Sequence, residues 1–194
     1  TAVGYQSLNG ANSGTGNNTA IGYYAGFANT TGAENTVVGR IAMFSNTTGS
    51  YNTAIGSNAL NSNTTASNNT AVGYQAGYSN TTGANLTLLG YQAGYQTTGN
   101  GNTALGVSAG YNVTTGVQNT FVGVDSGPNN GASTGSYNTG IGVSALQANT
   151  TGGYNTAHGV QSLYSNTTAS NNTAVGYQAG YSNTTGTGNA FFGQ

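Results

Sequence analysis

The sequence has almost no charge, no cysteine, no tryptophan and a single proline. It carries one Lys or Arg against two Asp or Glu in 194 residues. A nucleic-acid partner would require a basic face to neutralise phosphates, and an anionic membrane surface would require a polybasic segment. No apolar run approaches the roughly 20 residues that a spanning helix needs. The sequence therefore predicts neither a nucleic-acid partner nor a membrane span.

The usual components of an active site are also missing. There is one histidine, no cysteine nucleophile and no set of paired carboxylates. General acid–base chemistry and catalytic triads need those groups. We therefore expect a non-enzyme that carries no cofactor.

What the sequence does contain is a repeat, best seen at 69–73, which reads NTAVG. The glycine of this motif recurs twelve times at spacings of 16 to 19 residues, mostly 17. A fixed period with rare insertions is typical of a solenoid, in which each coil must land on the next. Residues 62–83 and 165–186 are identical, which indicates duplication. The repeated glycines are Gly4, Gly22, Gly39, Gly56, Gly73, Gly90, Gly106, Gly123, Gly142, Gly159, Gly176 and Gly193.

Low-complexity disorder is the alternative interpretation of a chain rich in Gly, Asn, Ser and Thr. The residue before the repeated glycine argues against it, because ten of the twelve are Val, Ile or Leu. We assign this position to the core. The exceptions are His158 and Phe192.

The segment 70–78 is predicted to be a strand because β-branched and aromatic residues are frequent in it. A period of two puts Thr70, Val72, Tyr74, Ala76 and Tyr78 on one face. Both faces contain small or apolar residues, so we expect one to line the coil interior and the other to be covered by a neighbouring chain or a second sheet.

Two further positions predict local structure. Asn precedes the strand in ten of eleven coils, with Leu86 as the exception, and stacked asparagines can form an amide ladder. The repeated glycine fits a positive φ or a close approach of two backbones. The Asn-Thr-Thr-Gly stretch is predicted to be a polar outer turn.

Together these patterns predict an all-β chain, a parallel β-solenoid (β-roll or β-helix) of about twelve 17-residue coils. Residues 1–194 are interpreted as one repetitive segment, a window of a longer fibre protein. Twelve coils would make a rod of roughly 55 to 60 Å. Because so thin a rod buries little core per coil, we expect self-association, as a homotrimeric fibre or an end-to-end filament.

The motif Asn-Thr-Ala-Val/Ile-Gly, with Ala three residues later, resembles the head repeats of trimeric autotransporter adhesins. The longer unit, Tyr-Gln-Ala-Gly-Tyr-Ser-Asn-Thr-Thr-Gly, is more similar to repeats of phage-tail-fibre-like proteins. These resemblances imply parallel β-rolls packed three around an axis. They also imply an extracellular fibre, on a cell surface or a virion, that is used for reach and attachment.

Two features are candidates for ligand contacts. His158 occupies the aliphatic position, where it is either a neutral hydrogen-bonded residue or, in a trimer, one of three histidines that bind a metal or anion. Five positions after the glycine lies a surface aromatic array, which either only stacks or also binds sugars. The array consists of Phe27, Phe44, Tyr78, Tyr95, Tyr111, Tyr164 and Tyr181.

Twelve Asn-x-Ser/Thr sequons are candidate glycosylation sites, most of them in the predicted outer turn. A glycan coat would keep rods apart in solution, because their charge is too small to make them repel one another. The sequons start at Asn17, Asn29, Asn46, Asn63, Asn68, Asn80, Asn85, Asn112, Asn149, Asn166, Asn171 and Asn183.

Three functional hypotheses follow. The leading one is a structural or adhesive extracellular fibre that gives reach and attachment. The second is a carbohydrate-binding module or a glycan-coated self-assembling filament. The third is an ice-binding solenoid, suggested by Thr-Thr turns, although Gln96, Val113 and the loop near Pro128 interrupt those turns.

Overall fold

Twelve short strands form one parallel sheet in the computed structural model, which describes residues 1–10 and 16–193. The sheet contains β1 to β12 in sequence order. No helix occurs in those two ranges. The strands are β1 Ala2–Val3, β2 Thr19–Ile21, β3 Thr36–Val38, β4 Thr53–Ile55, β5 Thr70–Val72, β6 Thr87–Leu89, β7 Thr103–Leu105, β8 Thr120–Val122, β9 Thr139–Ile141, β10 Thr156–His158, β11 Thr173–Val175 and β12 Ala190–Phe192.

Each strand pairs with its equivalent one coil later, so the repeat of the sequence is also the repeat of the sheet. Thr70 is opposite Thr87 and Val72 is opposite Leu89, and the same register holds along the stack. The predicted parallel β-solenoid of roughly 17-residue coils is confirmed. Eleven steps of about 4.8 Å between twelve strands give a sheet roughly 50 Å long.

The strands are shorter than predicted: β5 ends at Val72, and 73–78 form turns. Gly73 has a φ of 138°, and Gln75 and Gly77 have φ values of 55° and 62°. These positive φ angles bend the chain at alternate residues, so a period of two does not extend past the glycine. The predicted shared face of Thr70, Val72, Tyr74, Ala76 and Tyr78 is therefore wrong.

The core comes instead from the middle residue of each strand and from the small residue three positions after the glycine. Ala71 and Ala76 are both fully buried. The residue before the glycine, which the sequence assigns to the core, points outward: Val3 is 55% exposed and Leu89 is 47% exposed. His158 lies in this outer column and is exposed. Alternation within the three-residue strand explains the correction, because only its middle side chain can face inward.

The narrow core is filled because large side chains in one coil pack against glycines in its own coil or a neighbouring coil. The ring of Phe121 lies where side chains on Gly127 and Gly140 would point, because a Cβ atom added to them would come 2.5 and 3.0 Å from ring carbons. Gly77, at the position equivalent to Gly127, shows the same compensation between coils, because a Cβ atom on it would come 2.9 Å from a side-chain carbon of Leu60 in the preceding coil. Close packing of a core this thin requires such compensation.

The repeated glycine column brings successive backbones into direct contact. A Cβ atom on Gly73 would overlap the carbonyl oxygen of Gly90 in the next coil, whereas Gly131, in the longest coil, has a similar φ of 133° and open space around it. Both predicted roles of this glycine, positive φ and close backbone approach, are confirmed.

We predict that Gly73→Ala lowers the melting temperature, measured by circular dichroism, much more than Gly131→Ala. Both variants suffer backbone strain of about 1–3 kcal/mol, but only Gly73→Ala also displaces a neighbouring strand. Equal shifts in the two variants would contradict the assignment of the column to coil-to-coil contact.

Candidate functional site

The described residues contain no pocket and no cluster of three or more potential metal ligands. They also include no helix of the length and hydrophobicity that a membrane crossing requires. The candidate sites are therefore surfaces. They are defined by which side chains the coil buries and which it leaves exposed.

An asparagine before each strand clamps one coil to the next. Asn69 donates from Nδ2 to the carbonyl oxygen of Gly83 at 2.9 Å, and its Oδ1 accepts the backbone N–H of Leu86 at 2.9 Å. Most coils repeat these contacts, so the predicted amide ladder is confirmed. Its buried rungs are Asn18, Asn35, Asn52, Asn69, Asn102, Asn119, Asn138, Asn155 and Asn172.

Leu86 is the apolar exception in this ladder, and it is 1% exposed. Its N–H still donates to Oδ1 of the preceding rung, so the break removes only the amide contacts that an asparagine at this position would make. The next asparagine, Asn102, bonds to Gly99 in its own coil at 3.0 Å and to Gly116 at 2.8 Å. One apolar rung is therefore tolerated.

A second asparagine ladder was not predicted, because its residues belong to the supposed outer turn. Asn46 donates to Oδ1 of Asn29 at 2.8 Å and to the carbonyl oxygen of Gly49 at 3.0 Å. In the middle coils its place is taken by buried Thr97, Val113 and Ser133. The turn leaves only its threonines at the surface.

This second ladder restricts which of the candidate asparagines are accessible for glycosylation in the folded chain. A glycan is attached to Nδ2, and in six sequons that atom is buried and hydrogen-bonded inside the rod. Asn112 and Asn183 are half-buried and also donate from Nδ2, to the carbonyl oxygens of Asn129 and Gly186. The six buried asparagines are Asn29, Asn46, Asn63, Asn80, Asn149 and Asn166.

We predict that any N-glycans on the folded chain are confined to the four exposed sequon asparagines, Asn17, Asn68, Asn85 and Asn171. The check is glycopeptide mapping of material secreted by a host that glycosylates asparagine. An occupied Asn46 or Asn63 in folded protein would contradict the ladder.

The predicted aromatic array forms three separate stacks. Phe27 and Phe44 have ring centroids 5.1 Å apart. The column then breaks at Asn61, Pro128 and Gln147. The other stacks are Tyr78 with Tyr95 and Tyr111, at 5.1 and 4.9 Å, and Tyr164 with Tyr181, at 4.9 Å.

Parallel stacking covers the faces of these rings. Tyr78 and Tyr95 are inclined by 4°, and so are Tyr95 and Tyr111. A sugar needs an open ring face to stack on, so the inner rings offer only their edges and hydroxyl groups. Burial raises the pKa of the Tyr95 phenol, and repulsion from Tyr111 and then Tyr78 adds to it, so this phenol is neutral at physiological pH.

Two other tyrosine columns were missed by the sequence analysis. One directly follows the glycine, where Tyr74 and Tyr91 stack at 5.4 Å. The other lies twelve or fourteen residues after it, where exposed Tyr137 and Tyr154 stack at 4.8 Å. Both columns could be found from their spacing of 17 residues. The predicted strand 70–78 instead put Tyr74 on one face with polar, small and aliphatic residues.

The outer face of the sheet is a regular surface that extends along the stack of strands. It combines the strand threonines with the aliphatic column before the glycine. Among the residues that the structure describes, 18 large hydrophobic side chains are exposed, and 15 of them directly precede or follow the repeated glycine. This face was predicted to be covered, but within the chain it is open to solvent.

Comparison with known proteins returns no family model, no curated protein and no solved structure that matches this chain.

We predict that Asn69→Ala destabilises the rod by about 1–3 kcal/mol, because it leaves the buried N–H of Leu86 without a partner. Asn68→Gly is the matched control, since Asn68 is exposed with a φ of 61° and Gly101 and Gly188 occupy equivalent positions. Urea unfolding followed by circular dichroism compares the two. A control that is destabilised as much as Asn69→Ala would remove the clamp from the explanation.

Proposed function

We propose that the chain is the shaft of an extracellular fibre, on a cell surface or a virion, which gives reach and attachment without catalysis. The observation that carries this proposal is the continuity of the bonds between coils. Backbone bonds join every strand pair, and buried asparagine side chains add bonds between most coils. A rod connected in this way resists bending at every step.

Stiffness follows from the cost of opening any one step. Separating Asn52 from Asn69 would expose the sheet hydrogen bonds of that step and leave buried polar groups without partners. Each unpaired buried group costs about 1–3 kcal/mol. Bending therefore has no weak joint within the described coils, and length is gained simply by adding repeats.

Self-association belongs to the same proposal. Each coil presents to the next the backbone groups and asparagine rungs that a further coil needs, so chains can join end to end by the bonds that join coils within a chain. A homotrimer is the alternative arrangement, supported by the resemblance to trimeric fibres. Near-neutral charge permits either contact, since chains repel one another weakly.

Attachment to a surface carbohydrate stays a narrower part of the proposal. Exposed Tyr137 and Tyr154 would contribute phenol hydroxyl groups and ring edges. A glycan array would test this contact separately from the fibre itself.

The shaft hypothesis predicts that length can be edited in whole coils. Deleting residues 67–83 removes one 17-residue unit and should give a folded rod about 4.8 Å shorter. Deleting only residues 67–75 shifts the register and should prevent folding beyond that coil. Small-angle scattering measures the length, and sedimentation counts the chains.

Location is tested by immunoelectron microscopy of the source particles with an antibody against the rod. Label along projecting fibres is the expected result. Label confined to the particle interior, or a compact rather than elongated isolated protein, would overturn the proposal.

A further inference from the structure

We propose that the outer face of the sheet binds ice, that is, an ordered water lattice, an activity separate from that of a shaft. Ten threonines occupy the first position of ten consecutive strands and are paired in register. Neither the 16-residue coil nor the 19-residue coil interrupts them. They are Thr19, Thr36, Thr53, Thr70, Thr87, Thr103, Thr120, Thr139, Thr156 and Thr173.

The hydroxyl groups of this column point away from the coil and have no side-chain hydrogen bond to the residues that the structure describes. The contrast with other polar columns is clear. Thr47 in the turn donates from Oγ1 to the carbonyl oxygen of Thr64, and Gln92 donates to Gln75. The strand threonines therefore keep both donor and acceptor for an external partner. Exposed turn threonines such as Thr65 also make no side-chain hydrogen bond, but the 16-residue coil lacks this threonine, so their column is interrupted.

The face is periodic in two directions. Neighbouring threonines are one strand spacing apart, about 4.8 Å, and each is two residues, or about 6.7 Å, from the last residue of its own strand. That residue is aliphatic in nine of the ten strands and is His158 in β10. The spacing along the threonine column is close to an oxygen repeat of hexagonal ice, and the second column supplies mainly methyl groups at a constant distance from it. A rigid surface with that lattice can hold water molecules near the positions they take in the crystal.

Rotation between coils would destroy the match, and the aromatic stacks indicate that it is small. Rings one coil apart are inclined by 4° to 9° in the stacks that contain Phe27, Tyr95 and Tyr137, and by 14° and 19° in the two tyrosine pairs that directly follow the glycine. Side-chain ladders of this kind are what keeps a many-stranded sheet from twisting.

The alternating threonine and aliphatic columns also favour water over a dry protein partner. Burying the face of Thr70 and Thr87 against another chain would strand their hydroxyl groups unless each found a partner, at about 1–3 kcal/mol each. Ice provides an acceptor and a donor at every position. The methyl groups of Val72 and the threonines then restrict the water between them without competing for hydrogen bonds.

The chain differs here from the sequence expectation, which sought the ice face in the Thr-Thr turns. Gln96, Val113 and Pro128 interrupt those turns in the sequence, but none of them lies in the strand column. The threonines that matter are the ones in NTAVG.

The experiment measures thermal hysteresis and inhibition of ice recrystallisation for the whole chain and two matched variants. Thr70→Tyr with Thr87→Tyr places two large rings on the face while keeping residues of high β-propensity. Thr65→Tyr with Thr82→Tyr makes the same change on exposed turn threonines of adjacent coils. Circular dichroism near 0 °C establishes that each variant is folded.

The proposal predicts hysteresis for the wild type and the turn variant, and loss of most of it for the face variant. Absence of hysteresis in the folded wild type overturns it. So does equal activity of the two variants. If the wild type instead sediments as a multimer that only the face variant dissociates, and shows no hysteresis, the face is a contact between copies and ice binding is excluded.

Discussion

The rest of the structure depends on one constraint: the polar groups that a coil buries are satisfied by the neighbouring coil. Asn69 cannot satisfy its amide within its own turn, so it bonds forward to Gly83 and Leu86. A single coil would therefore leave buried donors and acceptors without partners, and stability arises only when coils stack. Every buried side-chain nitrogen and oxygen atom in the described residues has a partner. This requirement fixes the 17-residue period more strictly than hydrophobic burial does, because alanine-sized cores tolerate shifts that a hydrogen-bond clamp does not.

The 16-residue and 19-residue coils change length at residues that the asparagine clamp does not use. The 16-residue coil omits the exposed threonine of the turn, so that Thr98 takes the role of Thr47 and bonds to the next coil through its hydroxyl at 3.1 Å. The 19-residue coil places its extra residues around exposed Asn130 and Gly131, and returns to register at Ser133. Both changes in length therefore lie at the outside of one corner. The strands continue through both irregular coils, and the first ladder continues through the longer one.

Much of this fold could be predicted from the repeat, because a fixed spacing of Gly, Asn and an aliphatic residue predicts stacking in register. The inside and outside of the coil could not be assigned in the same way. Hydrophobicity favoured Val72 over Ala71 for the core, yet the space inside a coil this narrow suits alanine, and Val72 is left outside. The same reasoning placed Asn46 outside because it is polar, whereas a buried amide is stable when its neighbour has the same amide one coil away. Side-chain volume and translational repetition decided these positions, and neither is visible in a hydropathy pattern of one repeat.

Because many polar side chains form hydrogen bonds inside the rod, they also limit which partners its outer surface can recognise. With one Lys or Arg and two Asp or Glu in the chain, long-range electrostatic attraction is negligible, so recognition must rely on shape, methyl groups and neutral hydrogen bonds. Such contacts are weak individually and gain strength by repetition at a constant spacing. A partner that shares the spacing can add one contact per coil, whereas a partner without it falls out of register after a few coils. The sheet face is therefore selective for periodic partners, and its strength of binding should grow with the number of uninterrupted strands. Because the ten-threonine run outlasts both irregular coils, the rod keeps the longest periodic surface that its described strands allow.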